Sequence, residues 1–301
     1  MPPELPRRLD KHLADARFGP RSAIERAVAD GRVTVEGVVV RRCQALVAPA
    51  TETVAVDGVP MRPRPAAHWF LWHKPLGVVT TMAQLDGKDS LRDVLPTALL
   101  DACVAPVGRL DKLTSGAMLL TDDGDLAYLL LHPRHAVFKR YRVGLRLGSV
   151  RRREGVPAPA PLAPGDPRLL ALRDGVDLDG TPTRPAEVAL VDLALRDEGP
   201  DRVQDLTLSI AEGRHHQVRR MISAVGLRLK HLHREAIGPL ELGDLPPGVL
   251  RRLDAQEVDA LYDAAGGRDA PVRCAVAALE RRLTLPDLDP RERAIIVSFL
   301  S

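Results

Sequence analysis

The sequence predicts an α+β protein in two parts: a small helix-and-hairpin module, then a larger domain in which strands and helices interleave. Three observations predict it. Leu9, Leu13 and Ala16, followed by Ala23, Ala27 and Val28, trace two short helical stripes. After Gly31, RVTVEGVVV turns at Glu36-Gly37, which signals a hairpin. Beyond residue 69, short apolar or alternating runs are separated by helical patterns and turn residues.

The first module spans residues 5–60, with ETVAVDG as its closing strand. Two helices and a tiny sheet bury too little to make much of an enzyme. MRPRPAAH, 61–68, is Pro-rich and polar and predicts a linker. The larger domain runs from 69 to 263. WFLWHKP and AMLLT are strand candidates, and DDGDLAYLLLHP predicts a turn and a helix ending at Pro133. KRYRVGLRLG alternates Tyr141, Val143, Leu145 and Leu147 with arginines, as a half-solvated strand does. Residues 151–167 predict a Pro-rich surface loop. DLTLSIAEG predicts a strand and turn. Val218, Met221, Ile222 and Val225 mark an amphipathic helix closed by Gly226. Residues 264–301 read as an appended helix and tail.

Hydrophobic residues make up 45% of the 301, but aromatic ones only 3%, so the core must be mostly Leu, Val and Ala. The net charge of +3 decides little; its distribution is more telling. Seven basic and no acidic residues lie between Lys139 and Arg153, and Arg214, Arg219, Arg220, Arg228 and Lys230 form a second group. Such groups suit a phosphate backbone or an ordinary solvated face equally. The three cysteines are far apart with no CxxC, which excludes a disulfide framework or zinc knuckle and suits the reducing cytoplasm. No apolar leader and no long apolar run occurs, so a soluble protein without a membrane span is expected.

The strongest local pattern is Gly108 to Gly116, GRLDKLTSG, followed by AMLLT and Asp123-Gly124. It places one carboxylate, flanked by basic groups and glycines, on a loop before a buried strand. Alone, it reads as a surface turn with a solvated aspartate. Four further stretches follow a recognisable order: HKPLGVVTT, HPRHAVFKRYRV, EGRHHQVRRMISAVG and LHREAIGPLELGDLPPGVLRRLDAQEVDAL. Together the five resemble the signatures of the RsuA-like pseudouridine synthases, over residues 69–261. RLDKHLADARFGPRSAIERAVADGRVTVEG resembles the S4 RNA-binding domain, with Pro20 standing where a Ser usually precedes Arg21.

The resemblance implies an S4 domain joined to a catalytic domain with a mixed, mainly antiparallel sheet and flanking helices, the cleft lying between the halves of that sheet. It implies an isomerase that turns uridine into pseudouridine in ribosomal RNA without metal or organic cofactor. Asp111 matches the catalytic aspartate, Arg219 the cation that pairs with it, and Tyr141 the tyrosine that packs on the target base. Arg109 matches an arginine associated with filling the space left by the flipped nucleotide. Arg220, about 100° from Arg219 on its helix, should face elsewhere. Arg214, His215, His216, Gln217 and Arg220 are expected RNA contacts around the cleft. Lys74 is expected with them, shaping a strand end near the site. Arg8, Lys11 and Arg21 are expected on the RNA face of the first module. His215 and His216 should point to different faces of their helix, and no histidine has metal-ligand spacing. His73 and Leu113 depart from the family pattern. HQV and LHRE read closer to enzymes of small-subunit (16S) rRNA than to those of the large subunit. A monomer acting on ribosomal RNA or a pre-ribosomal particle is expected; a non-catalytic assembly factor and a base methyltransferase are the rivals.

Overall fold

A computed structural model of the chain describes residues 5–63, 68–87, 89–150 and 160–300. Part of the expected linker, 64–67, and most of the Pro-rich insertion with Arg151, Arg152 and Arg153 lie outside the described residues.

The first module folds as its pattern predicts. Helices α1 (Leu9–Asp15) and α2 (Arg21–Ala29) precede a hairpin of β1 (Val33–Val35) and β2 (Val38–Val39). Glu36 and Gly37 take φ of 49° and 78°, the left-handed pair that a two-residue hairpin turn needs. β3 (Leu46–Val47) pairs with Arg7–Arg8, and β4 (Val54–Val56) pairs with β1. Leu9, Leu13, Ile24, Val28, Val33 and Val54 fill a separate small core.

The larger domain is built on a mixed sheet. Seven of its ten strands form the main path: β5 (Trp69–Lys74), β6 (Ser115–Thr121), β7 (Lys139–Ser149), β8 (Glu187–Leu190), β9 (Asp201–Ile210), β10 (Leu229–Ile237) and β11 (Leu250–Arg252). They lie in the order β8-β9-β7-β10-β6-β5-β11, all neighbours antiparallel except β10 and β6. One face carries Met118, Leu120, Val143, Leu206 and Leu232 against α4 (Gln217–Ala224). On the other, Ala117, Leu119 and Leu71 pack against α3 (Gly124–Leu131) and α5 (Ala255–Ala264).

β10 was not foreseen as a strand, yet it lies in the centre. Gly116 makes its position possible. It has φ of 115°, and a Cβ there would lie 2.2 Å from the Arg234 carbonyl oxygen. Only glycine lets the two strands approach so closely.

The arginines of β7 settle one open question. Arg140 pairs with Glu235 and Glu241, Arg142 with Glu235, and Arg146 with Asp201. They alternate with Tyr141, Val143 and Leu145, whose side chains pack in the core behind the cleft. For these three the solvated-face reading holds, because strand periodicity turns them away from the cleft.

The expected appended tail folds back. α6 (Ala270–Leu283) starts in the larger domain's core at Ala270, and its Leu279 meets Leu46 of the first module and Ile296 of α7 (Pro290–Leu300). Glu292, 2% exposed, accepts from the Leu46 N–H at 3.1 Å and pairs with Arg42 and Arg282. Arg17 pairs with Asp122, and Lys11 with Asp125 at 3.0 Å. The module is therefore seated on the larger domain as well as tethered to it.

Candidate active site

The Asp111 loop sits between Val107, hydrogen-bonded to Leu119, and the start of β6. It is pinned from below by the HKPLGVVTT segment. Thr80 Oγ1 donates to Leu110 O at 2.7 Å, Gly77 N to Lys112 O at 2.8 Å, and Lys74 Nζ to Thr114 O at 3.0 Å. Rigid support of this kind holds a loop carboxylate in one place.

Asp111 opens into a cleft of about 280 Å³, at the small end of the usual range for ligand pockets. Arg219, reaching from α4, places Nε 3.3 Å from Asp111 Oδ2, and its Nη2 donates to Leu113 O at 2.5 Å. The expected pairing is what the structure contains. Leu113, one of the departures, contributes only its backbone here. Tyr141 lines the same cleft, 9% exposed, and Arg109 stands exposed at its edge.

Helix α4 begins at Gln217, two residues later than the His215-His216 expectation requires. His216 has φ of 50° and precedes the helix. That left-handed turn brings both imidazoles to one side, stacked with centroids 3.9 Å apart, so the expectation of different helix faces is corrected. His216 Nε2 also lies 3.4 Å from Asp111 Oδ1. Arg220 faces away, pairing with Asp179 at 2.5 Å. Arg214 lines the cleft while donating to Thr181 O and Pro182 O at 2.8 and 2.6 Å.

Three expected RNA contacts have other surroundings. Lys74 is wholly buried, with Nζ donating to Pro75 O at 2.9 Å and to Thr114 O, so it offers no surface to a phosphate. Burial lowers its pKa to about 8, against the pull of Asp111 and with the push of Arg234. Gln217 is 4% exposed and ties Arg214 N to the Glu212 carboxylate. Lys11 lies between Asp15 and Asp125 at the domain seam; burial alone would lower its pKa, but these two carboxylates raise it. Arg8 and Arg21 are exposed, beside Asp10 and Glu25.

Two cleft residues were missed: Lys139 and Arg234. Both stand inside quoted motifs, as the Lys of HPRHAVFKRYRV and the Arg of LHRE, so the signal was available. His73 donates through Nδ1 to Leu245 O at 2.6 Å and meets His233 edge-on, on the side of the sheet away from Asp111.

A loop aspartate clamped by a helix arginine stands beside a strand tyrosine in one cleft, in a domain that follows a small helix-and-hairpin module. The comparisons say which class of protein this is. The family model described as RNA pseudouridylate synthase matches residues 68–224, more than half the chain, and the S4 domain model matches residues 7–44. An uncharacterised RNA pseudouridine synthase of Aquifex aeolicus (strain VF5) is 33% identical over 265 residues, covering 88% of this chain and 97% of the relative. The ribosomal small subunit pseudouridine synthase A of Escherichia coli (strain K12) is 34% identical over 260 residues, covering 83% and 98%. A solved pseudouridylate synthase matches with TM-score 0.56 and 27% identity, covering 84% of this chain and 99% of that one. The chain belongs to the RNA pseudouridine synthases, in the S4-bearing, RsuA-like group, and is an isomerase acting on RNA. No described helix is long and apolar enough to cross a membrane.

Proposed function

We propose that this chain isomerises one uridine of small-subunit ribosomal RNA, with Asp111 as the reacting carboxylate. The observation that carries the reading is the state of the two carboxylates lining the cleft. Glu212 is taken up by Gln217 Nε2 at 2.7 Å and by Arg184 N at 3.1 Å. Asp111 is held at one edge by Arg219 and still opens to the cleft.

In the reaction the N1–C1′ bond breaks, the base turns, and C5 bonds to C1′. The C5 proton leaves and N1 gains one, so no atoms are lost and no energy donor is needed. Asp111 acts by bonding to C1′ or by taking the 2′ proton, with the Arg219 guanidinium facing its carboxylate. The nucleotide must leave the stack to reach it. Tyr141 packs against the base near C5, and Arg109 enters the vacated space. Arg214, His215 and His216 line the cleft where phosphates would pass, Arg220 stands outside it beside Asp179, and Arg8 and Arg21 give the S4 module a cationic surface for RNA. The chain works as a monomer in the cytoplasm on ribosomal RNA or its precursor particle. HQV, LHRE and the likeness to small-subunit enzymes support that subunit over the large one.

The test is tritium release from RNA labelled at uridine C5. Asp111→Asn should lose on the order of 10⁴-fold or more of the rate while binding RNA normally. Appreciable turnover by that variant sinks the mechanism. Mapping pseudouridines in both rRNAs of a deletion strain assigns the subunit; a site lost from the large subunit overturns that part.

A further inference from the structure

The cleft contains a buried cation that the roles above leave unused. Arg234 is 4% exposed and lines the cleft with Lys139 and Tyr141. Its Nε donates to Ala117 O at 2.6 Å. Its Nη2 is buried with no hydrogen-bond partner among the described residues. A guanidinium end sealed from water is normally matched, because leaving a charged donor unsatisfied costs free energy. An unmatched one at a binding cleft points to a guest.

The surrounding charges say what kind. Arg219 already answers Asp111. That leaves Arg234, Lys139 and the enclosed Lys74, with both lysines held by backbone carbonyls: Lys74 by Pro75 and Thr114, Lys139 by Leu130 and Val137 at 2.9 and 2.7 Å. Burial, and then the charge of Arg234, lowers the pKa of Lys139 to about 8. Three cations close to one another without a carboxylate apiece call for negative charge in a poorly solvated place.

Phosphates supply negative charge, but they follow the rim, where Arg214 and the stacked histidines stand. Arg234 is at the floor. Its register partner across the strands is Tyr141, the residue on which the base packs, so a ring lying on Tyr141 presents an edge to Arg234. The base is neutral when it enters. When the N1–C1′ bond breaks, the bonding pair stays with the ring, and the charge spreads over N1, O2 and O4. This happens whether Asp111 bonds to C1′ or takes the 2′ proton.

We propose that Arg234 is a catalytic residue whose Nη2 donates to a carbonyl oxygen of the flipped uracil and stabilises the anion the ring becomes while detached from C1′. The anion is discharged when C5 bonds to C1′, the C5 proton leaves and N1 is protonated. Arg234 itself is unchanged. The contact is strongest when the ring is charged, so it lowers the barrier rather than tightening ground-state binding. This rests on the reading of Asp111 as the reacting carboxylate.

The experiment is single-turnover kinetics of the full chain at saturating RNA, with RNA affinity and thermal unfolding measured alongside. Arg234→Gln should slow the step roughly 10²–10³-fold with affinity little changed. A second RNA carries 5-fluorouridine at the target, and loss of that nucleoside is followed by chromatography. Fluorine stabilises the uracil anion itself, so the defect relative to the unsubstituted protein should shrink on this RNA. Unchanged single-turnover rate with weakened binding assigns Arg234 to a phosphate and overturns the proposal. An equal defect on both RNAs makes its role structural and overturns it too. Should Arg234→Gln fail to fold, Arg234→Lys is read by the same two criteria. Asp111→Asn is run in parallel: turnover there rejects the aspartate reading, while the fluorine comparison still reports on Arg234.

Discussion

The seam between the S4 module and the larger domain, and the cleft beneath Asp111, both gather charge, but they balance it differently. At the seam Arg17 meets Asp122, Lys11 meets Asp125 and Asp15, and Glu292 meets Arg42, Arg282 and the Leu46 N–H. Lys139 in the cleft and Lys74, buried outside its lining, rest on neutral carbonyls, and Arg234 keeps a nitrogen unmatched among the described residues. Paired charge fixes one arrangement of two bodies; unpaired charge at a cleft is stability given up for a ligand. Changes in the cleft should therefore strike rate, and changes at the seam should strike placement.

The largest effect, after Asp111 itself, belongs to Arg219. It holds the Asp111 carboxylate, the Leu113 carbonyl and, at 3.3 Å, Thr114 Oγ1. Arg219→Met removes the charge and the loop anchor together and should cost roughly 10²–10³-fold in kcat. Arg219→Lys keeps a point charge without the fork and should recover part of that. Steady-state tritium release measures both. If Arg219→Met turns over normally, His216, 3.4 Å from the other carboxylate oxygen, becomes the first candidate for the pairing.

A smaller effect is expected from pH. Lys74 and Lys139 titrate near 8, down from an ordinary 10.5, with burial as the main cause. Raising pH through about 8 discharges both and should lower the single-turnover rate. Stability moves the other way. The unfolded chain holds these protons up to 10.5 and the folded chain only to about 8, so between the two values the fold gains stability as pH rises. A rate that falls while thermal stability holds or climbs separates lost catalysis from unfolding. A flat rate up to about pH 9.5 would show that the lysine charges are not used.

Much of this contrast could be read before any coordinates. The helices of the S4 module, its Glu36-Gly37 turn and helix α4 announce themselves by local periodicity, which acts over a few residues. Asp111, Tyr141 and Arg219, which the fold gathers into one cleft, each stand in one of the ordered motifs. β10 was not legible as a strand, because LKHLHREAI mixes charge and apolar groups at no clean period: Arg234 is buried by the Gly116 approach rather than by being hydrophobic. The seam was also hidden. Arg42 and Glu292 are 250 positions apart, and nothing local to either tells of the other. The stacked histidines were misread because one left-handed residue, His216, ends the helical frame on which the angular argument relied.

The smallest effect should come from the seam, at Glu292. Its carboxylate is nearly enclosed. Burial would raise its pKa, but the Leu46 N–H, Arg282 and Arg42 outweigh that and hold it below the ordinary 4.5. Its contribution is thus fully present above that ordinary value and fades as pH falls through the lower folded one. Glu292→Gln keeps the shape and an acceptor for Leu46 but leaves two arginines without their anion. A loss of roughly 1–3 kcal/mol at this contact is expected, enough to loosen α7 from β3. The cleft is built from other elements, so kcat at saturating RNA should change little. The apparent KM on structured rRNA should rise, because an S4 module no longer held by α6 and α7 positions its RNA less well; KM on a short hairpin lacking the outer contacts should not. Faster limited proteolysis near the C-terminal helices would report the loosening directly. If Glu292→Gln instead lowers kcat as far as Arg219→Met does, the seated module helps to form the active site, and the separation of seam from cleft fails.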